Sequence, residues 1–175
     1  PPGAYKADFS ENRDFKTLIK GALLSGCLTE IFIPKNCDVK EIQTNDLVHI
    51  NYISQKNETI KALAKKVNHC YAVIITLQSN CCDYCVGLTT MLEAMALGKP
   101  IIVTKNPYHP IDVKELGVGI AIEPDSPEQL SNAIKFLNDN PEIAKEMGEK
   151  GQKIAKEKYN IEVCSNKIYS YIMTL

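Results

Sequence analysis

The clearest chemical signal lies in residues 87–100, where a glycine precedes the pattern of a helix. Apolar side chains recur there at the spacing of one helical face, at Leu88, Met91, Leu92, Met95 and Ala96. A helix start presents unpaired backbone N–H groups and the positive end of the helix dipole, and both attract anions. Gly87 would let a ligand approach the backbone closely, and Thr89 and Thr90 would add hydroxyl donors. The pattern therefore predicts an anion-binding helix start.

Glu93 lies six residues after Gly87 and could turn toward a ligand held at the helix start. A carboxylate in that position suits the hydroxyl groups of a ribose or a sugar. The alternative is a solvated or locally paired glutamate, and spacing alone favours it because helix glutamates are common.

The seven cysteines and three histidines give weaker signals. Cys82 and Cys85 have C-x-x-C spacing, and the pair His69-Cys70 could lie at the start of the preceding strand. A tetrahedral metal site needs a second properly spaced pair, which is not evident, so reduced thiols are the simpler interpretation and no metal is predicted. His109, in a proline-rich loop, could face a ligand, although a structural role in the loop is favoured.

Composition limits the class of protein. The chain has 175 residues, 45% of them hydrophobic and 23% charged, which fits one globular domain with a full core. The net charge is −1 with both signs well mixed, so nucleic acid is not an expected partner. No stretch reaches the length of a membrane span, and residues 1–6 match no targeting peptide but look like the end of a linker. A cytoplasmic location is expected.

Strand-like and helix-like segments alternate along the chain. Strands are predicted at Glu30–Pro34, Leu47–Ile53, Tyr71–Leu77, Ile101–Thr104 and Gly119–Glu123, with a short one around Ala4–Phe9. Helices are predicted at Asp14–Gly26, from Asn57, at Leu88–Leu97, at Ile111–Leu116, from Ser126 with a capping box to Gln129, from Asn140 to about Tyr159, and from Ile161. The alternation predicts an α/β fold with a Rossmann-like parallel sheet and helices on both faces.

Ligands of such sheets bind outside the carboxyl ends of the strands. Gly87, Thr89, Asn106 and the loop after Ile53 should all lie at that edge. The sequence has no G-x-G-x-x-G after a first strand, no P-loop and no G-x-S-x-G elbow, so the usual signals of dinucleotide binding, nucleotide triphosphate binding and serine hydrolysis are missing.

Several segments together resemble the C-terminal half of a GT-B glycosyltransferase, in the large retaining family known for a Glu-x7-Glu signature, the glycosyl transferases group 1. The most specific piece is Glu93-Ala-Met-Ala-x-Gly-x-Pro100. The other similar segments are residues 13–18, 115–119, 124–130 and 144–159, so the resemblance covers nearly the whole chain.

The resemblance implies one half of a GT-B fold, with residues 1–10 as interdomain linker, 11–160 as the nucleotide-sugar-binding domain and 161–175 as a helix that crosses toward a missing N-terminal acceptor domain. It implies a glycosyltransferase of the hexosyltransferase type that uses a UDP- or GDP-sugar, requires no cofactor or metal, and takes part in polysaccharide biosynthesis. The acceptor would be a glycan, a lipid or a polysaccharide precursor. This part alone would be inactive, and membrane contact, peripheral at the inner face, would come through the missing half.

Site residues carry over from the family one by one. Arg13 falls where the family places a cation on the phosphates, with Lys16 as the neighbouring candidate, and these two are the expected catalytic residues. The segment Gly87, Leu88, Thr89 and Thr90 matches the diphosphate-facing helix start, and Glu93 matches the signature residue that holds the donor ribose. The loop that flanks the base matches Tyr52, Ile53 and Ser54.

Cys85 departs from the family pattern, because it stands eight residues before Glu93, where the signature has its first Glu. That Glu contacts the sugar, and a thiol is a poor hydrogen-bonding substitute for a carboxylate. Asp83 could supply a nearby carboxylate instead. The departure supports an alternative function, a non-catalytic binding or assembly domain that has kept the fold and lost the donor.

Overall fold

The computed structural model describes residues 12–34, 44–53, 65, 67–79 and 85–174. The strands are β1 (Thr29–Pro34), β2 (Val48–Ile53), β3 (Val73–Ile75), β4 (Ile101–Thr104) and β5 (Gly119–Ile122). The helices are α1 (Phe15–Ser25), α2 (Leu88–Ala96), α3 (Pro127–Asp139), α4 (Pro141–Lys158) and α5 (Ile161–Ile172). The linker predicted at 1–10, the strand at Ala4–Phe9 and the start of the helix at Asn57 lie outside the described residues.

Every strand pair in the described part of the chain is parallel. β1 pairs with β2, and β4 lies between β3 and β5 in a second group. Ile75 at the end of β3 stands opposite Val103, and Val103 stands opposite Ala121, so the carboxyl ends of β3, β4 and β5 meet at one edge. The α/β architecture with parallel sheets and flanking helices confirms the predicted fold class.

Both faces of the β3–β5 group are covered, and β4 shows this residue by residue. Ile102 belongs to a buried cluster formed with α1 and α3, which contains Ile19, Ala22, Leu130, Ala133 and Leu137. Its neighbours Ile101 and Val103 belong to a second buried cluster on the other side, which contains Ile75, Met91, Ala94, Met95 and Val113. All four β4 residues are buried, which explains the continuous apolar run in the sequence.

The helices pack in pairs, α1 against α3 and α2 against α4, and two glycines allow close approach. A Cβ atom at Gly21 would lie 2.8 Å from Cβ of Leu130, so α1 and α3 touch at that point. A Cβ atom at Gly148 would lie only 2.1 Å from the carbonyl oxygen of Gly98, so α4 meets the backbone of the turn that follows α2.

The predicted helix at Ile111–Leu116 is wrong, because these residues form turns. Asp112 Oδ1 accepts hydrogen bonds from the N–H groups of Lys114 (2.9 Å) and Glu115 (3.0 Å). Asp112 therefore caps a single turn, which the Leu116 N–H closes on the Asp112 carbonyl oxygen at 3.0 Å. Gly117, at φ +62°, ends it immediately afterwards, so no longer helix forms.

The predicted capping box at the start of α3 is also wrong. Ser126 is the N-cap residue, but its hydroxyl donates to the Pro124 carbonyl oxygen at 3.0 Å rather than capping the helix. Gln129 Oε1 accepts from the N–H of Glu123 at 2.9 Å. Both side chains therefore stabilise the tight connection between β5 and α3. The strand predicted at Tyr71–Leu77 is shorter than expected, because Thr76 and Leu77 make other contacts, described below.

The last helix, α5, has the amphipathic spacing that the sequence predicts but buries none of its residues. Its exposed apolar side chains include Ile161, which is 83% exposed, and Ile168, Tyr169, Tyr171 and Ile172. No described part of the chain covers this face. Separately, none of the described helices is both long and apolar enough to cross a lipid bilayer.

The close contact at Gly21 predicts opposite outcomes for the same substitution in two helices. Gly21→Ala should lower the free energy of unfolding, because overpacking against Leu130 costs about 1–3 kcal/mol and outweighs a helix-propensity gain of about 1 kcal/mol. Gly151→Ala is the matched control, since a Cβ there would meet Met95 at an ordinary 3.5 Å and the propensity gain should remain. Urea unfolding of the three chains tests this, and equal stabilities for both variants would contradict it.

Candidate functional site

The segment before α1 is fastened to the carboxyl end of β3. The Asp14 N–H donates to the Thr76 carbonyl oxygen at 3.2 Å, and Thr76 Oγ1 donates to the Asp14 carbonyl oxygen at 2.8 Å. Arg13 itself forms an antiparallel bridge with Leu77. These contacts place Arg13 at the edge of the sheet where parallel α/β folds bind ligands.

The structure brings Arg13 together with Gly87, although 74 positions separate them in the sequence. A Cβ atom at Gly87 would lie 3.2 Å from Nη1 of Arg13 and 3.0 Å from Cγ2 of Ile75. Gly87 also has φ +88°, a backbone conformation that side chains rarely adopt. Glycine suits both the conformation and the space, and the guanidinium group lies on the side of Gly87 where a side chain would begin.

The Arg13 guanidinium is a partly buried cation with no recorded ion-pair partner in the described part of the chain. Burial lowers the pKa of Arg13, because protein atoms replace part of the water that stabilises the cation. Among the described residues, no ion pair to Arg13 is recorded. The side chain stays protonated at neutral pH, because a guanidinium group does not lose its proton in proteins. A bound anion would restore the lost charge stabilisation.

The start of α2 supplies further positive character beside this cation. Gly87 is the N-cap residue and no side chain caps the helix there. The first hydrogen bond of the helix runs from the Met91 N–H to the Gly87 carbonyl oxygen at 3.0 Å. The amides of Leu88, Thr89 and Thr90 precede that bond and have no carbonyl partner within the helix. The predicted helix start is confirmed, with Thr89 exposed and Thr90 half-buried.

Glu93 and Cys85 are exposed residues on either side of this helix start. The pKa of Glu93 is raised, because neighbouring protein atoms partly desolvate its carboxyl group even though the residue as a whole is exposed. No described residue is recorded as a hydrogen-bond partner of that carboxyl group. Cys85 is a free thiol. Their contact with a ligand stays a prediction.

The remaining predicted residues are less fully placed. Tyr52 is 47% exposed near the carboxyl end of β2, and Ile53 is the last residue of that strand. Ser54 lies outside the described residues, as does Asp83. Lys16 is exposed in the first turn of α1, and Leu88 is half-buried against the core under α2.

Asp14 holds the segment before α1 in place, a role that the sequence pattern did not predict. Its backbone makes the contacts to Thr76, and its Oδ1 accepts a hydrogen bond from the Thr17 N–H at 2.8 Å, which caps α1. The residue is 7% exposed. An aspartate directly before an apolar helical pattern is a standard sequence signal of a helix start. The cap could therefore be predicted from the sequence, but the contact with β3 could not.

The loop after β4 reaches the same site. Asn106 holds it in a turn, through its Oδ1, which accepts from the Tyr108 N–H at 2.8 Å, and its carbonyl oxygen, which accepts from the His109 N–H at 3.1 Å. His109 Nε2 lies 2.5 Å from the carbonyl oxygen of Val86, the residue before Gly87. The predicted structural role of His109 thus has a definite partner. Beneath the loop lies a pocket of about 370 Å³ with Val103, Ile111, Val113 and Ala121 among its lining residues.

Metal ligands do not gather in the described part of the chain, where no group of three or more histidine, cysteine or acidic side chains could hold an ion. Cys82, whose C-x-x-C spacing suggested a possible metal site, lies outside that part, as does its neighbour Cys81.

One protein family matches the sequence. The family described as glycosyl transferases group 1 matches residues 40–154, which include Cys85, Gly87 and Glu93 but not Arg13. No curated protein sequence matches the chain with significance.

Solved glycosyltransferase structures share the fold. Anabaena HepE, in complex with UDP-glucose, aligns with a TM-score of 0.68 over 94% of this chain and 46% of its own, at 15% identity. Sucrose-phosphate synthase from Thermosynechococcus elongatus gives 0.66 over 94% and 46%, at 16% identity. The C-terminal domain of the group 1 protein LpcC from Francisella tularensis gives 0.50 over 66% and 55%, at 20% identity. At these identities the likeness concerns the GT-B fold alone, and the chain spans less than half of HepE and of the synthase.

The raised pKa of Glu93 predicts a pH-dependent stability difference. Because the folded state disfavours the carboxylate, Glu93 destabilises the fold as pH rises above the ordinary carboxyl range, and the effect vanishes at lower pH, where the group is protonated in both states. Glu93→Gln should therefore raise the melting temperature at pH 7 and not at pH 4. The gain should stay below about 1 kcal/mol, since solvent screens an exposed group. Thermal melts of both chains at the two pH values test this, and a constant difference would contradict it.

Proposed function

The chain belongs to the glycosyl transferases group 1 family, and from this premise we propose that it is the donor-binding part of an enzyme that moves a sugar from a nucleoside-diphosphate sugar to an acceptor. The observation that carries the proposal is the position of the Arg13 guanidinium beside Gly87 at the start of α2, where Nη1 would lie 3.2 Å from a Cβ atom. A partly desolvated cation and an uncapped helix start meet at one point, and a diphosphate would satisfy both.

The same pair would act in the transfer step. When the bond between sugar and diphosphate breaks, negative charge grows on the leaving nucleoside diphosphate. A fixed cation and aligned amides stabilise that charge more in the transition state than in the bound donor, which is what lowers a barrier. Arg13 and the α2 start would supply this stabilisation without a metal ion or another cofactor. Lys16, which is exposed in the first turn of α1, is a second cation that could contact the diphosphate.

The other parts of the donor are assigned by their chemistry and by the family resemblance. Glu93 would accept hydrogen bonds from the ribose hydroxyls, and the edge formed by Tyr52, Ile53 and Ser54 would flank the base. Cys85 would face the sugar. HepE is solved with UDP-glucose, which supports a UDP-sugar as the first donor to test, with a GDP-sugar as the next.

The proposal extends to a longer enzyme. Residues 1–10 would form an interdomain linker, 11–160 the donor domain, and 161–175 a helix that packs on an N-terminal acceptor domain. The uncovered apolar face of α5 supports the last point. The complete enzyme would be a retaining hexosyltransferase acting on a glycan, a lipid or a polysaccharide precursor, and this chain alone would bind the donor without transferring the sugar.

One observation favours a second candidate, a non-catalytic binding or assembly domain. Cys85, an exposed thiol, stands where the signature of the family has a carboxylate. Loss of that carboxylate removes a hydrogen-bond acceptor for the sugar. The position of Arg13 beside Gly87 argues against this candidate, because a partly desolvated cation with no recorded ion pair among the described residues suits an anionic ligand.

Titration of the chain with UDP, GDP and ADP by calorimetry tests the proposal. One of them should bind, and at a hundredfold excess over its dissociation constant it should stabilise the fold by about 2.7 kcal/mol. Arg13→Gln should weaken binding about 10- to 100-fold, the range for losing hydrogen bonds to a charged group. Lys20→Gln, which removes an exposed cation of α1, the helix that follows Arg13, is the control and should bind normally. Lys16→Gln decides whether the second cation takes part.

The outcomes separate the two candidate functions. Binding that depends on Arg13 and also weakens in Glu93→Gln supports the donor domain and identifies the base. A folded wild-type chain that binds none of the three nucleotides supports the non-catalytic domain.

Cys85 offers a separate test of where the sugar lies. A nucleoside-diphosphate sugar at ten times its dissociation constant should slow alkylation of Cys85 by maleimide about tenfold, because the free site then remains only about a tenth of the time. Cys164, an exposed thiol on α5, is the internal control and should react at an unchanged rate. Peptide mass mapping measures both. Equal rates at Cys85 with and without the nucleotide sugar would place the sugar elsewhere.

A further inference from the structure

A hydrogen bond joins the proline-rich loop after β4 to the segment that enters α2. His109 Nε2 lies 2.5 Å from the carbonyl oxygen of Val86, across 23 positions of sequence. A carbonyl oxygen only accepts hydrogen bonds, so Nε2 is the ring nitrogen that carries the proton and donates. The bond therefore fixes both the tautomer of His109 and the direction of the Val86 carbonyl group.

The direction of that carbonyl decides the direction of the next amide. A peptide unit is planar and trans, so the Val86 C=O and the Gly87 N–H point in opposite directions. Holding the oxygen toward His109 turns the Gly87 N–H away from the loop. No hydrogen bond from this N–H group is recorded among the described residues. It is the amide that comes just before the three amides of α2 that have no carbonyl partner within the helix, and it belongs to the residue whose Cα side faces the Arg13 guanidinium.

The Val86–Gly87 peptide needs such an anchor because Gly87 has no side chain of its own to restrain it. Its φ of +88° lies in a region that glycine reaches easily but also leaves easily, since φ < 0 is equally open to it. His109 is held in turn by the Asn106 turn and lies between Tyr108 and Pro110, which restricts the loop backbone. The anchor is thus more rigid than the peptide that it holds.

We propose that His109 is a positioning residue that orients the Val86–Gly87 peptide so that the Gly87 N–H binds the diphosphate of the donor. The proposal rests on the proposed function of the site and adds a residue to it. His109 itself does not touch the ligand, and its effect passes through one backbone amide.

The geometry allows a test by side chains of matched shape. In glutamine the amide nitrogen takes the place of histidine Nε2, so His109→Gln should keep the donor to Val86. His109→Met has a similar length and no donor. We expect His109→Met to weaken binding of the preferred nucleoside diphosphate about tenfold, the effect of one hydrogen bond to a charged group, and His109→Gln to stay within about threefold of wild type.

His49→Met is the control for loss of an imidazole donor. His49 Nε2 also contacts a backbone carbonyl oxygen, that of Asp46 at 2.8 Å, but on an exposed residue near the amino end of β2. That end of the strand is opposite to the ligand edge, so this variant should bind like the wild type.

A second measurement keeps the test independent of overall stability. The amide proton shift of Gly87 in ligand-free chains should move in His109→Met and return toward the wild-type value in His109→Gln. Thermal melts of each variant identify any chain that fails to fold. If His109→Met does not fold, His109→Gln must still bind the nucleoside diphosphate with an affinity within threefold of wild type.

Three results would overturn the inference in distinguishable ways. A wild-type chain that binds no nucleoside diphosphate removes the proposed function, and the inference falls with it. A wild-type chain that binds, with equal affinity in His109→Met, leaves the function standing and removes the role of His109. Weakening in both His109→Met and His109→Gln shows that the ring packing and not the hydrogen bond matters, which also rejects the proposal.

Discussion

Two hydrogen bonds between Asp14 and Thr76 fasten the entry of α1 to the end of β3, and the site depends on them. Both residues are buried, Asp14 at 7% and Thr76 at 3% exposure. Polar groups deprived of water must bind one another, so the connection is enforced by desolvation as well as by its own strength. With Asp14 fixed, the backbone of Arg13 is kept at the sheet edge, from which its guanidinium reaches the side of Gly87.

The site contains two partly desolvated charged groups of opposite sign, Arg13 and Glu93. Burial lowers the pKa of Arg13 and raises the pKa of Glu93, so the same loss of water disfavours a cation and an anion in the chain without ligand. Neither is neutralised by a described neighbour. Neutral residues at these two positions would make the fold more stable. Such conflicts between stability and function are common in binding sites.

Local patterns in the sequence were enough for most elements and failed where a polar side chain could choose between partners. The bounds of α1, α2 and α4 agree with prediction within about two residues, because apolar spacing and end signals coincide there. Ser126 and Gln129 have the spacing of a capping box, but the turn after β5 presents other groups that they bind instead. The helix predicted at Ile111–Leu116 failed for another reason, because Gly117, at φ +62°, ends the segment after a single turn.

For the site, the sequence located Gly87 and Glu93 because they share one helix. It could not show that Arg13 lies against Gly87, nor that His109 holds Val86, since those contacts depend on how strands β3 and β4 are placed side by side. A role for Arg13 came from family resemblance alone. Contacts between distant segments follow from topology, which spacing along the chain does not encode.

α2 is restrained at both of its ends. At its start His109 Nε2 holds the carbonyl oxygen of Val86, and at its end Gln152 Nε2 donates to the Ala96 carbonyl oxygen at 3.2 Å. The backbone of Gly148 presses on Gly98 just beyond. A ligand that binds amides already held in place loses little conformational entropy, because the ordering took place when the chain folded. The conformational entropy lost on binding should therefore fall mainly on the ligand and little on α2.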